Sequence, residues 1–257
     1  MAHPLDGARA KIERANENIK NLNVEIDTLL NSNLYRIIPE RDDDAGKQSF
    51  RFTGPPSVPL RISVLVGEIV HHLRSVLDHL VWQLVIRGGG SPGTHHEFPI
   101  CRILEKYKKA IGRRKIEGVS ATAAAHIESL QPYHRGPAYA TSPLWIVHDL
   151  DITDKHRLLV MVVASVSVER LSVIEGKPEH VTIDKWPSTT RATVPGAEVI
   201  SLTIQPSGFG VKVKGEFRAQ IAFDKFGIAQ DQPVIPSLKQ LSGSIADTIE
   251  LFACEFS

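Results

Sequence analysis

The chain of 257 residues predicts an α+β fold: a helical bundle with a β-hairpin insertion, followed by an antiparallel β-sheet and a C-terminal helix. Three observations carry this expectation. Apolar residues recur every three or four positions through the N-terminal half and again near the C-terminus, the period of a helix face. After residue 157 the period changes to two, in β-branched runs separated by Gly, Pro and Ser. A 42% hydrophobic content at this length suffices for a full core. The expected division is 1–157 for the bundle and 158–257 for the sheet, whose closing helix packs back on the first part.

In the first segment Leu5, Ala8, Ile12, Ala15, Ile19, Leu22, Ile26 and Leu29 alternate spacings of three and four, a heptad seam. Such a seam serves either packing within a bundle or pairing of two chains. Residues 34–53, "LYRIIPERDDDAGKQSFRFT", place two β-prone pieces around an acidic, Gly-containing turn and predict a hairpin. Gly54-Pro55-Pro56 breaks the chain, and Ser57 with Pro59 opens a long helix reaching Ile86. Its stripe of Ile62, Leu65, Ile69, Leu73, Val76, Leu80 and Leu84 is widened by Val66, Val70, Leu77, Val81 and Val85, as in a buried helix. "RGGGSPG" stops it, and "THHEFPI" follows as an extended anchor.

Two shorter helices are expected at about 102–113 and 120–130, then a break at "QPYHRGP". Residues 142–156 form a further helix, with Ser142 as N-cap and Pro143 in the first turn. Strands are expected in "RLLVMVVASVSVERLSVI", "EHVTIDK", "AEVISLTI" and "GVKVKGEFRAQIAFDK". The last sets Val211, Val213, Phe217, Ala219, Ile221 and Phe223 on one face against Lys212, Lys214, Glu216, Arg218 and Gln220 on the other. A helix over 234–254 closes the chain through Leu238, Leu241, Ile245, Ile249 and Phe252.

Charge is balanced, 30 Lys and Arg against 29 Asp and Glu, which argues against a chain that coats nucleic acid or an acidic membrane. It leaves room for a local basic patch. Cys101 and Cys254 alone make neither a disulfide framework nor a zinc-ligand set. The first residues lack a signal-peptide apolar core, and Leu158–Val168 is too short to span a bilayer. A cytoplasmic protein with no membrane partner is expected.

"HHLRSVLDHLVW" interrupts the long apolar helix with two polar rows: Glu68, His72, Ser75, His79 and Gln83 beside Gly67, His71, Arg74 and Asp78. One reading is structural. Arg74 and Asp78 form an i,i+4 ion pair, and the histidines are held in hydrogen bonds. The other is an Arg-x4-His motif, Arg74 to His79. With that motif on a bundle helix, residues 57–157 resemble the HEPN superfamily (higher eukaryotes and prokaryotes nucleotide-binding domains). The resemblance implies a helical bundle, often dimeric, and a metal-independent ribonuclease with Arg74 and His79 as catalytic residues. Ser75 stands where that family favours Asn, Asp or His. The wording "HHLRSVLDHLVW … DKHRLL" also resembles an uncharacterised family of bacterial proteins, which implies no activity.

The chemistry is coherent on paper. His79, near its ordinary pKa of about 6.5, would move the 2′-hydroxyl or leaving-group proton of RNA. Arg74 would hold the phosphate. Five residues of regular helix separate the two side chains by about 140°, so the pair needs reach, distortion or a second subunit. A homodimer through the N-terminal seam or the motif helix would supply that subunit. His71, His72, Ser75 and Asp78 are expected in supporting roles. So are His148, Asp154 and His156 of "HDLDITDKHR", unless Lys155, His156 and Arg157 simply complement a helix C-terminus.

The run "KYKKAIGRRK" gathers Lys106, Lys108, Lys109, Arg113, Arg114 and Lys115 without an acid and suggests contact with RNA. Glu68-x-x-His71 is half of a di-iron pattern that has no second copy here, and "RGGGSPG" lacks the lysine of a phosphate loop. No metal or cofactor is expected. Ser75 and His79 lack the exposed elbow of a nucleophilic serine. The alternative function is a non-catalytic ligand-binding or protein-interaction module whose His/Arg/Asp network is structural.

Overall fold

The computed structural model describes residues 3–32, 36–53, 58–185, 196–206, 210–224 and 227–256, with the backbone alone at 163–167 and 218. The architecture is α+β. The break at Gly54-Pro55-Pro56, the helix start at Ser57, the first two residues of the expected hairpin and the Arg218 side chain lie outside this description.

Helix α1 (Asp6–Leu30) turns its heptad seam inward. Leu5, Ala8, Ile12, Ala15, Ile19, Leu22 and Ile26 are buried against α2 (Leu60–Arg87) and the last long helix, Val234–Glu250. This corrects the expectation of a dimer surface there: a stripe already covered within one chain has no apolar area left for a second. Helix α2 is the centre of the molecule. Ile69, Val70, Leu73, Val76, Leu77, Leu80 and Val81 are all sealed from solvent.

After α2 the chain turns at Thr94–His95 and continues without regular structure through a segment whose Phe98 is fully buried. Helices α3 (Leu104–Gly112) and α4 (Ala121–Ser129) follow, the latter capped by Ser120 Oγ, which accepts the Ala123 N–H at 3.0 Å. A 3₁₀ stretch, Pro132–Thr141, leads into α5 (Pro143–His156). Ser142 is its N-cap and Pro143 its first residue, but the Ser142 side chain makes no capping bond.

The strands form two antiparallel sets. β1 (Ile37–Asp42) and β2 (Lys47–Phe52) make the expected hairpin. β3 (Met161–Glu175) pairs with the later strand Lys212–Phe223, with Met161 opposite Phe223. β4 (Val181–Lys185) and β5 (Glu198–Ile204) complete a four-stranded sheet in the order β1-β2-β5-β4. The hairpin, inserted among helices in sequence, is therefore part of the sheet in space: Phe50 lies opposite Ile200. On β6 (Lys212–Phe223) Val213 is buried while Lys212, Lys214 and Glu216 face water, the alternation seen in the sequence. A second core of Phe50, Ile200, Leu202, Ile204, Val211 and Val213 seats the sheet on the β3–β6 ribbon. Ile221 and Phe223 at the other end of the ribbon join the main helical core.

Helix α6 (Val234–Glu250) buries Leu238, Leu241, Ile245 and Ile249, then tightens into a 3₁₀ turn, Ala253–Phe256, that tucks Phe252 inside. The end of α2 is equally tight. A Cβ on Gly88 would collide with the carbonyl oxygen of Gly118, a main-chain atom that cannot swing aside. Gly88→Ala is therefore expected to cost about 1–3 kcal/mol of stability, read as a lower midpoint in urea unfolding.

Candidate functional site

The polar insertion in α2 divides between two environments. Arg74 points into the protein and is buried. Its Nη1 donates to Asp78 Oδ1 at 2.6 Å, and its Nη2 donates to the Phe98 carbonyl at 3.0 Å. The same Asp78 oxygen accepts the Phe98 N–H at 2.9 Å. One arginine and one carboxylate a helical turn apart thus hold both main-chain groups of Phe98. Buried Gln131 extends the arrangement: its Oε1 accepts the Cys101 N–H at 2.9 Å, and its Nε2 donates to the Pro99 carbonyl at 2.7 Å. The segment 98–101 takes most of its hydrogen bonds from these side chains, while the Cys101 carbonyl accepts the Tyr133 N–H at 3.1 Å.

His79 lies on the outer face, in a depression of about 460 Å³ lined with Lys11, Ser75, Asp78, Trp82, Gln83 and His96. Desolvation by this depression and the nearby Lys11 push its pKa below the ordinary histidine value. Arg74 does not line the depression. The catalytic pairing expected of Arg74 and His79 is thus not assembled within the chain, because the guanidinium is committed to Asp78 and Phe98 on the inner side.

The supporting residues are also dispersed. His71 is exposed, and its Nδ1 lies 3.0 Å from Oδ1 of buried Asp151, whose Oδ2 accepts from Lys155 at 2.5 Å. His72 is half-buried, and burial lowers its pKa. Ser75 Oγ donates to the His72 carbonyl at 3.0 Å. Asp154 packs its carboxylate against Gly67, where an added Cβ would push it aside, and burial raises its pKa. His156 is exposed at the end of α5. Among the described residues, no three His, Cys, Asp or Glu side chains are grouped to hold a metal, and no helix is long and apolar enough to cross a membrane.

A second cavity, of about 330 Å³, lies where the captured segment enters α3. Ile100, Cys101 and Arg102 form one side; Lys106, Lys109, Ala110 and Arg113 of α3 and its end form another; Lys115, Trp145 and His148 close it. It holds five Lys and Arg and no carboxylate among its lining. Four members of the basic run are brought here, whereas Lys108 and Arg114 are not; Arg114 pairs with Glu117. The helical period explains the split, since Lys106, Lys109 and Arg113 share one face of α3.

Sequence reasoning missed Arg102 and Trp145. The Arg102 guanidinium lies 5.6 Å from the ring centres of both Tyr139 and Trp145 and donates to the Tyr139 hydroxyl at 3.2 Å. Trp145 in turn lies 5.5 Å from the His148 ring, at helical spacing on α5. An aromatic residue three positions before a histidine was the one local signal, and it is indistinguishable from ordinary core spacing.

His148 is half-buried, with Nδ1 enclosed and unpartnered. Burial, then the charge of Arg74, pushes its pKa down to about 4, against an opposing effect of Asp151. Lys115 is lowered by burial and by Arg74, and it pairs with Glu97 at the cavity edge. The site therefore presents an array of cations around a neutral imidazole and an indole. That arrangement suits an anion bearing an aromatic group.

Compared with protein-family models, curated proteins and solved structures, the chain has no match. The site rests on its own geometry.

Two outcomes are expected. Arg74→Ala leaves Asp78 and the Phe98 carbonyl without their partner. It should destabilise the fold by about 2–4 kcal/mol, somewhat below a sealed pair because Asp78 is 39% exposed; equilibrium denaturation measures it. For His148 the native pKa lies below its unfolded value of about 6.5, so acid favours the unfolded chain. Stability is fully retained above pH 6.5 and falls by an amount on the order of 3 kcal/mol as pH drops to about 4. In His148→Gln this part of the pH dependence should vanish.

Proposed function

We propose that this protein is a non-catalytic binding module for phosphate-bearing ligands of the nucleic-acid class, RNA foremost. The observation that carries this is the second cavity: five cations converge on it, and no carboxylate lines it. Several surface cations elsewhere are answered by acids, as in Arg9 with Glu250, Arg61 with Glu25 and Arg51 with Glu40, and of the five in the cavity Lys115 is paired with Glu97. Among the described residues Lys106, Lys109 and Arg113 have no ion pair. Grouping like charges costs self-repulsion, which an anionic ligand relieves. Trp145 and Tyr139, with Arg102 against them, supply the aromatic faces that bases stack on.

In this reading the Arg74, Asp78 and Gln131 network serves the site by position. It fixes the segment that delivers Arg102 and starts α3. Cleavage is not part of the proposal, since buried Arg74 is bonded through Nη1 to Asp78 and through Nη2 to Phe98, and His79 opens elsewhere.

Fluorescence anisotropy with labelled single-stranded RNA tests this. Affinity should fall as salt rises, with a log–log slope of roughly −2 to −3 for three or four phosphate-type contacts. Lys109→Glu combined with Arg113→Glu should weaken binding by about tenfold or more and flatten that slope. His79→Ala should leave binding unchanged. RNA incubated with the protein without divalent metal should remain intact; cleavage lost in His79→Ala would overturn the non-catalytic reading.

A further inference from the structure

The shape and charge of the second cavity also restrict what part of a ligand it accepts. At about 330 Å³ it lies at the small end of ligand pockets, whereas surfaces that track a nucleic-acid strand are grooves spanning several nucleotides. Its cations come from three places in the chain and point at one volume: Arg102 before α3, Lys106, Lys109 and Arg113 along α3 and its end, and Lys115 beyond it. A strand passing through would present one negative charge per phosphodiester. A terminal phosphomonoester carries about −1.5 to −2 at pH 7 and has three free oxygens.

The imidazole of His148 adds to this match. His148 lines the cavity with its Nδ1 enclosed, so Nε2 is the ring nitrogen left to meet a ligand oxygen, donating to it in the tautomer that carries the proton there. Trp145, 5.5 Å away, lies where a ring attached to that phosphate through a sugar would find an apolar face.

We infer that the cavity takes the terminal phosphomonoester of a nucleotide, whether a free mononucleotide or the end of an RNA strand, in preference to phosphodiesters within a strand. This rests on the proposal above that the cavity binds phosphate-bearing ligands. The phosphate is held by the cations of α3 together with Lys115 and His148, and the base lies against Trp145 and Arg102.

Competition binding separates the two levels. Wild-type protein is titrated with a short RNA of about six nucleotides in three forms: 5′-phosphorylated, 3′-phosphorylated, and hydroxyl-ended. Adenosine monophosphate, adenosine and inorganic phosphate serve as small probes. The expected result is that at least one phosphorylated end binds about tenfold tighter than the hydroxyl-ended strand. Adenosine monophosphate should compete better than adenosine or inorganic phosphate. In Lys109→Glu/Arg113→Glu the advantage of the phosphorylated end should disappear, and in His148→Gln it should shrink; circular dichroism verifies that both variants are folded. The arms with 5′ and 3′ phosphate and with free mononucleotide show which source is accepted. Equal binding of all three strands by wild type, lost in the charge-reversal variant, would overturn the end preference and leave phosphate-ligand binding standing. Binding that is absent, or indifferent to charge reversal, would overturn both.

Discussion

Helix α2 lies at the centre of the core and carries a guanidinium there, and the rest of the site depends on how that charge is satisfied. Leaving Arg74 unpaired inside would cost several kcal/mol. The chain answers it with Asp78 one turn on and with the carbonyl of Phe98, while Asp78 also accepts the Phe98 N–H. Because both main-chain groups of one residue are engaged, the segment can neither slide nor rotate against the helix. Gln131 fixes the next residues through Pro99 and Cys101. Arg102 and α3 start directly from this anchored stretch, so the placement of the basic cavity derives from a buried polar network in the bundle.

The same network separates two surfaces. On the outer side Asp78 shares a depression with His79, Lys11 and Trp82. On the other, Arg74 lies close enough to His148 and Lys115 to hold the pKa of each down. The positive charge of Arg74 behind the imidazole, offset in part by its partner Asp78, adds to the attraction of the cavity wall for anions without exposing the arginine. The polar insertion in α2 therefore acts on the cavity through position and field, and it does not line the cavity.

The β half contributes differently. Among the described residues, no strand residue lines the basic cavity. The β3–β6 ribbon carries Ile221 and Phe223 into the helical core at one end and supports the four-stranded sheet at the other. The hairpin of β1 and β2 ties the two halves together, because it leaves the chain between α1 and α2 yet pairs with β5. Phe52 belongs to the main core and Phe50, two residues earlier on the same strand face, to the second.

Much of this was legible in the residues themselves. The seam from Leu5 to Ile26, the wide stripe of α2, the alternation along β6 and the stop at Gly88 all report local geometry, which periodicity and turn chemistry encode directly. The basic run was legible as charge, and Arg74–Asp78 as an ion pair, because residues four apart on a helix are neighbours on one face. What covers the seam, which strand the hairpin joins, and that Arg74 turns inward to Phe98 while His79 turns out were not legible. Nor was the convergence of Arg102, Trp145 and His148 on one face of α3. By itself the sequence determined the elements and which face of each is apolar, since those follow from spacing along the chain. Only the tertiary structure decided which polar groups meet, because burial and partnership depend on contacts such as that of Arg74 with Phe98, and on Lys109 and His148 lining one cavity, which no local period relates.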